Sequence, residues 1–261
     1  MRFAGSRRRA NVYEWINSPC RLLADTPIYT SAIASEDVSE SIAKSRLDLT
    51  IRNIVKGSGC TDYKLFVSGG NNFRYDIDPT YKANRTGSDP KWRETLRLHL
   101  IESWGAVECN GYEADDHCGV EQKEDGSTMI VAIDKDLLQV PGLHYSWPIT
   151  RKNTIVREGL FREISKEEGM RRFFTQALTG DTSDNIKGIY GIGAKKAEKL
   201  LADCRTEEEM YLKVYDVYTE DCEDDEGMEI ETQRFQRNCD LLWIWRELGI
   251  TYSIRKEIYG I

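Results

Sequence analysis

Three short stretches of this chain carry carboxylates at spacings that could do chemistry. Glu113, Asp115 and Asp116 stand in EADD, Asp134 and Asp136 in DKD, and Asp181 and Asp184 in GDTSD. Acids from three separate segments pack together only when cations neutralise them, because like charges a few ångströms apart repel strongly in a partly desolvated cleft. Oxygen-only ligands select Mg²⁺ or Mn²⁺ over zinc. Two such ions about 3.5 to 4 Å apart suit in-line displacement at a phosphodiester, one activating water and one stabilising the leaving oxygen. Each stretch alone is equally the mark of a helix cap or a solvated turn, so the reading rests on the three together. His117 follows Asp116 directly and, at roughly 100° per residue on a helix, points away from it. No nucleophile elbow, Walker loop or zinc spacing competes.

The elements that must position these acids can be read around them. Met129 to Ile133 is an apolar run that delivers Asp134 at its end, as a central parallel strand does in open α/β sheets. Leu22 to Asp25 reads as a first strand stopped by Pro27. Ser35 to Val55 has helical spacing and stops at Gly57, and Tyr63 to Val67 is a second strand ending in Gly69-Gly70-Asn71-Asn72. Strand, helix, strand is a βαβ beginning. Asn71 to Lys91 is polar, basic and without period, the character of a functional loop. Pro90 opens a helix closed by Gly105, a further helix begins at Tyr112 to Asp116, and short strands fall near Leu143 to Trp147 and Thr154 to Val156. Beyond about residue 165 the chain reads as helical, with helices at Glu167 to Leu178 and 230 to 248. The expected organisation is a basic, frayed tail over 1–20, an α/β domain over 21–164, and a helical region over 165–261.

Gly188, Gly191 and Gly193 punctuate GIYGIGAKKA, which reads as a glycine hairpin between two helices, the second running from Gly193 to Leu201. Bare glycines let backbone amides approach a phosphate, and Lys195, Lys196 and Lys199 add charge. The net charge of −8 over 261 residues argues against nucleic acid only at first sight. Residues 206–231 hold twelve acids against Lys213, leaving 32 acids and 35 bases on the rest of the chain. The acidic stretch 220–229 reads as a solvated loop. Seven cysteines without a CxxC pair fit reduced thiols, and the arginine-rich start has no apolar run behind it. A soluble, cytoplasmic, monomeric protein without a membrane span is expected.

With YKANR at Tyr81 to Arg85, EADD, DKD and GDTSDNIKGIYGIGAKKA in this order, the chain resembles the phage and bacterial 5′-nucleases, the 5′→3′ exonuclease and flap-endonuclease family. The likeness runs over about residues 21 to 202, with the 230s and 240s similar to the closing helix of phage members. It implies a Rossmann-like (PIN-like), mostly parallel sheet with flanking helices, an arch built from 71–95, and a helix-three-turn-helix subdomain at about 180–202. It implies two Mg²⁺ (or Mn²⁺) ions: Asp115, Asp116 and Asp134 for the first, Asp136, Asp181 and Asp184 for the second. Glu113 would orient water or ligands, and Lys82 and Arg85 would hold the scissile phosphate. Tyr81 would stack on the end base, while Arg74, Lys187, Gly191, Gly193, Lys195 and Lys196 would contact DNA. The hairpin in relatives can also hold K⁺ through backbone carbonyls. DNA with 5′ ends, flaps or RNA primers, met in a bacterial or phage-infected cell, is the implied substrate.

Two positions depart from the family pattern. Matching Tyr29 to the family aromatic puts Leu23 where a first acid belongs, and Gly69 stands where a second strand should end in Asp. A register slip would let Asp25 serve as the first acid. The main expectation is therefore an Mg²⁺-dependent 5′-nuclease of replication. Its rival is an impaired homologue that binds branched DNA. A PIN-type ribonuclease would leave the glycine hairpin unexplained.

Overall fold

A computed structural model describes residues 2–3, 21–24, 27–60, 62–151 and 154–259. The strands of the main sheet are β1 (Arg2–Phe3), β2 (Arg21–Ala24), β3 (Asp62–Ser68), β4 (Val107–Cys109), β5 (Thr128–Val131) and β6 (Gly142–Ser146). A small antiparallel pair follows, β7 (Ile149–Arg151) and β8 (Thr154–Arg157), and then β9 (Leu160–Ile164). The main sheet has the order β1-β9-β6-β5-β2-β3-β4. From β4 to β6 every neighbour is parallel; β9 pairs antiparallel with β6, and β1 runs parallel to β9 beyond it. The expected Rossmann-like sheet is thus present, with its order reversing between β2 and β5. That reversal point, at the strand carboxyl ends, is where such sheets hold their sites.

Both faces of the sheet are covered, which is why β5 is buried along its whole length. On β3, Leu65 and Val67 point to one layer and Phe66 to the other. The first layer holds α1 (Pro27–Ile33), α2 (Glu40–Ser58) and, after the one-turn α3 (Arg74–Ile77), α4 (Arg93–Trp104). Helix α2 buries Ala43, Leu47, Ile51 and Ile54, a stripe at i+4, i+4, i+3. The second layer is α5 (Ala114–Glu121) with the 3₁₀ turn Asp136–Gln139 and Ile244. The helical region comprises α6 (Lys166–Thr179), α7 (Ala194–Leu200), α8 (Glu207–Thr219), α9 (Asp225–Leu242) and α10 (Tyr252–Tyr259), packed on Phe173, Phe174, Val214, Phe235 and Trp243. Among the described residues no helix is long and apolar enough to cross a membrane.

Several sequence expectations need correction. Pro27 does stop a strand, but it also opens α1, its missing N–H costing nothing at a first helical position. Arg2–Phe3, expected in a frayed tail, pairs with Leu160–Phe161 at the sheet edge. Strand β9 was not expected, since LFREI mixes charges into its alternation. The acidic stretch is not a loop from Asp225 onward: Asp224 accepts the Gly227 N–H at 2.8 Å and starts α9. Glu207 to Glu209 likewise form the first turn of α8 behind Thr206. Acids crowd this region because two helix amino ends favour them. What precedes the glycine hairpin is a short antiparallel pair, Gly180–Asp181 with Ile186–Lys187, rather than a helix. Helix α9 ends at Leu242, short of 248, because its last carbonyls are taken by other segments. Arg74 Nε donates to Leu241 O at 2.8 Å and Gln139 Nε2 to Leu242 O at 3.0 Å.

Candidate active site

The acids converge on the carboxyl edge of β5, brought there by three devices. Directly after β5, Asp134 Oδ1 accepts the Asp136 N–H at 2.9 Å and turns the chain into the 3₁₀ segment. From α6, Gln176 Nε2 donates to Asp136 Oδ1 at 3.1 Å and to Asp181 Oδ2 at 3.0 Å, so one amide ties carboxylates from two segments. From β3, the Ser68 hydroxyl accepts the Ala114 N–H at 3.0 Å and fixes the first turn of α5, where Asp115 lies half-buried.

Electrostatics registers this crowding. Burial first, then repulsion from Asp134 and Asp181 and, more weakly, Asp184, pushes Asp136 up to about 7. Asp181 goes the other way. Burial alone would raise it, but the Ser183 hydroxyl at 2.6 Å and N–H at 2.8 Å outweigh that and hold it below the usual carboxylate range.

The 71–95 region does not stand out as an arch. After α3 it runs in turns and is strapped to residues 182–185. Lys82 N–H donates to Asp184 O at 2.9 Å, and Asn185 Nδ2 to Thr80 O at 2.8 Å. Side chains repeat the strapping: Lys82 pairs with Glu113 and lies 3.7 Å from Asp184, and Arg85 pairs with Asp184. Glu113 also accepts from Asn72 Nδ2 at 2.9 Å. The expected Lys82, Arg85, Glu113 and Asp184 are therefore together, as acid–base pairs across the cleft.

Three expected site residues have other work. Asp116 is fully buried, and Arg74 grips it in a bidentate pair at 2.7 and 2.8 Å. The N–H groups of Glu113 and Trp245, at 3.1 and 3.3 Å, take its remaining lone pairs. Asp116 is thus no ligand of a first ion, since four donors already neutralise it. Arg74 is correspondingly not a DNA contact; it is buried, also donates to Trp243 O at 2.9 Å, and Asp116 holds it charged well beyond the usual range. Tyr81 is buried rather than free to stack on a base, donating its hydroxyl to Asp184 Oδ2 at 2.8 Å. Asp25 lies outside the described residues.

Gly69 explains its own missing acid. Its N–H donates to Cys109 O at 2.7 Å, and a Cβ built on it would sit 2.8 Å from that same carbonyl, besides meeting the Asn110 side chain. Backbone cannot yield there as a flexible side chain could. Gly69→Asp is therefore expected to destabilise the fold by about 1–3 kcal/mol and to supply no extra ligand. Chemical denaturation checks this; an unchanged midpoint would remove the steric account.

At the glycine hairpin Gly191 has φ 74°, Gly193 precedes α7, and Lys187, Gly191, Gly193, Lys195 and Lys196 are all exposed on one stretch, Lys187 pairing with Gly180 beside Asp181. Helix α9 holds this hairpin from beneath: Asn238 Nδ2 donates to Lys187 O at 2.9 Å and Arg234 Nη2 to Gly188 O at 2.6 Å. Gln176, Asn238, Arg234 and Asn72 were not legible in the sequence, since no local spacing marks a partner so many residues away.

Among the described residues no group of three or more His, Cys, Asp or Glu is arranged to hold a metal ion. The donor chemistry nevertheless fits a hard cation at one place. Asp134, Asp136 and Asp181 offer only oxygens, the donor type a hard cation takes, and Gln176 ties two of them together.

A mostly parallel α/β sheet with acids at its carboxyl edge, joined to a helical region that carries a glycine hairpin, defines the fold class. The 5′-nuclease resemblance is borne out in sequence and in fold. No family model matches the chain. It is 32% identical over 175 residues to the 5′-3′ exonuclease of Mycoplasmopsis pulmonis, covering 62% of this chain and 58% of that protein. It is 31% identical over 167 residues to DNA polymerase I of Bacillus caldotenax, covering 58% of this chain and 19% of that much longer protein. In fold it is similar to the T5 D15 protein co-crystallised with metal ions, with TM-score 0.59, 17% identity, and 86% and 88% of the two chains covered. A T5 5′-exonuclease with bound zinc gives TM-score 0.58 at 16% identity over 85% and 89%.

Proposed function

We propose that this chain is a divalent-metal-dependent 5′-nuclease that hydrolyses phosphodiesters at DNA 5′ ends, flaps or primers during replication. The observation that carries the reading is the convergence of Asp134, Asp136 and Asp181 on one edge, with Gln176 bridging two of them. Similarity to a protein named a 5′-3′ exonuclease supplies the reaction class. Asp134, Asp136, Asp181 and Asp184 would hold one ion, Mg²⁺ or Mn²⁺; Glu113, Asp115 and Asp134 remain for a second. Such ions, when bound, lower the pKa of water and neutralise charge on the leaving oxygen.

The chain's own residues do the rest. Lys82 and Arg85, now paired with Glu113 and Asp184, would exchange those carboxylates for the scissile phosphate once a cation takes the acids' charge. The glycine hairpin, with Lys187, Lys195 and Lys196, would follow a duplex phosphate backbone without reading bases, and its carbonyls would take K⁺. A soluble, cytoplasmic, monomeric protein goes with this reading.

The rival, a DNA-binding homologue with weakened cleavage, is favoured by the Asp116–Arg74 pair and by the filled space at Gly69, which together thin the first ion's shell. A 5′-labelled flap incubated with Mg²⁺ decides between them. The expected result is release of short 5′ products that chelator abolishes and Asp181→Asn lowers by at least about tenfold. A single-turnover rate rising as the second power of Mg²⁺ would support two ions. Flap binding without cleavage at any Mg²⁺ or Mn²⁺ concentration would establish the rival.

A further inference from the structure

Tyr190, at the tip of the glycine hairpin, is fully exposed, at 101% of its reference surface. Aromatic side chains rarely present both faces to water, because burying them is worth so much. Here the backbone gives the ring no freedom to retreat. Ile189 N–H donates to Leu178 O at 2.8 Å and Ile192 N–H to Ile189 O at 3.1 Å, while Ile192 is buried in the helical core. Gly191, with φ 74°, completes the turn, and Arg234 and Asn238 hold the carbonyls of Gly188 and Lys187. The tyrosine hydroxyl makes no hydrogen bond among the described residues, and the same short stretch of chain carries the exposed cations Lys187, Lys195 and Lys196. A rigid aromatic presented among cations has already lost the loop entropy that binding would otherwise cost.

We infer that Tyr190 is a duplex-contacting wedge, its ring lying against the sugar and base edges of the minor groove between phosphates held by the hairpin. The inference rests on the proposed function, which puts DNA on this hairpin. A single-strand path is disfavoured by the surroundings: strand-binding grooves line up successive aromatic platforms, whereas here one ring stands amid glycines and lysines, the chemistry of backbone contact. The wedge adds apolar contact to a hairpin that would otherwise supply only charge.

Charge and apolar contact separate by salt. Fluorescence anisotropy in Ca²⁺, on plain duplex, flap and single strand across a salt series, compares the wild type with Tyr190→Ala, Tyr190→Phe and Lys195→Ala. Tyr190→Ala is expected to weaken duplex and flap binding about tenfold with an unchanged slope of log affinity against log salt, and to leave single-strand binding alone. Lys195→Ala should reduce that slope by about 0.9. Tyr190→Phe should stay within about threefold of wild type, since the face and not the hydroxyl makes the contact. Duplex binding by Tyr190→Ala equal to wild type, or a loss confined to single strand, overturns the inference alone. A wild type that binds none of the three DNAs overturns the functional reading and this inference with it.

Discussion

Arg74→Ala is expected to cost about 3–5 kcal/mol of stability, the penalty for leaving a buried carboxylate unpaired. Asp116 has no exposed surface and draws two of its four hydrogen bonds from that guanidinium. The carbonyls of Leu241 and Trp243 lose a donor in the same change. Against a domain stability of roughly 5–15 kcal/mol, such a loss brings the variant near unfolding. Arg74→Lys should rescue little, because an ammonium cannot reproduce the planar fork. Arg74→Met combined with Asp116→Leu should be far milder than Arg74→Ala alone, since removing both charges leaves nothing unpaired. Urea unfolding followed by tryptophan fluorescence measures all three. A loss below about 1 kcal/mol for Arg74→Ala, with weakened DNA binding instead, would return Arg74 to the role its sequence position suggested.

The second large effect is on metal-linked stability. The folded protein holds the Asp136 proton up to about 7, whereas the ordinary carboxyl value is 3.8. Between those values the folded state binds a proton that the unfolded chain has released. Stability from this group therefore falls as pH rises through that window, and its cost is full above about 7. A divalent ion supplies the missing charge, and at a hundredfold excess over its Kd it adds about 2.7 kcal/mol. Thermal melts should accordingly show a large Mg²⁺-induced rise near pH 8 and a small one near pH 5, where protons compete. Asp136→Asn should flatten the metal-free pH dependence over this range and lose most of the Mg²⁺ shift. Equal Mg²⁺ shifts at both pH values, or an Asp136→Asn protein indistinguishable from wild type, would detach Asp136 from the metal.

What the sequence made legible was local. The apolar run before Asp134 forces a buried strand, and the glycines at 191 and 193 force a turn. The stripe from Ala43 to Ile54 forces a helix. Each signal lies within a few residues of what it builds. The errors came from pairings between distant segments. Asp116 looks like any acid in EADD until Arg74 and the Trp245 amide come to rest on it. Tyr81 looks like an exposed loop aromatic until residues 182–185 fold over the strap. Strand β9 is hidden in the sequence because Arg162 and Glu163, beyond the two residues that β1 pairs, blur its alternation. The acids before α9 read as a charge run because capping and solvation use the same residue types.

The Arg74 latch also fixes an order of events during synthesis. Its carbonyl partners lie 167 and 169 residues further along the chain. At about 5–20 residues per second, a ribosome needs on the order of ten to thirty seconds to make that stretch. Asp116 is made 42 residues after Arg74, so for most of this interval both members of the pair exist while the groups that bury it do not. The latch closes late, so a nascent chain passes through a stage in which this buried ion pair is still open to water.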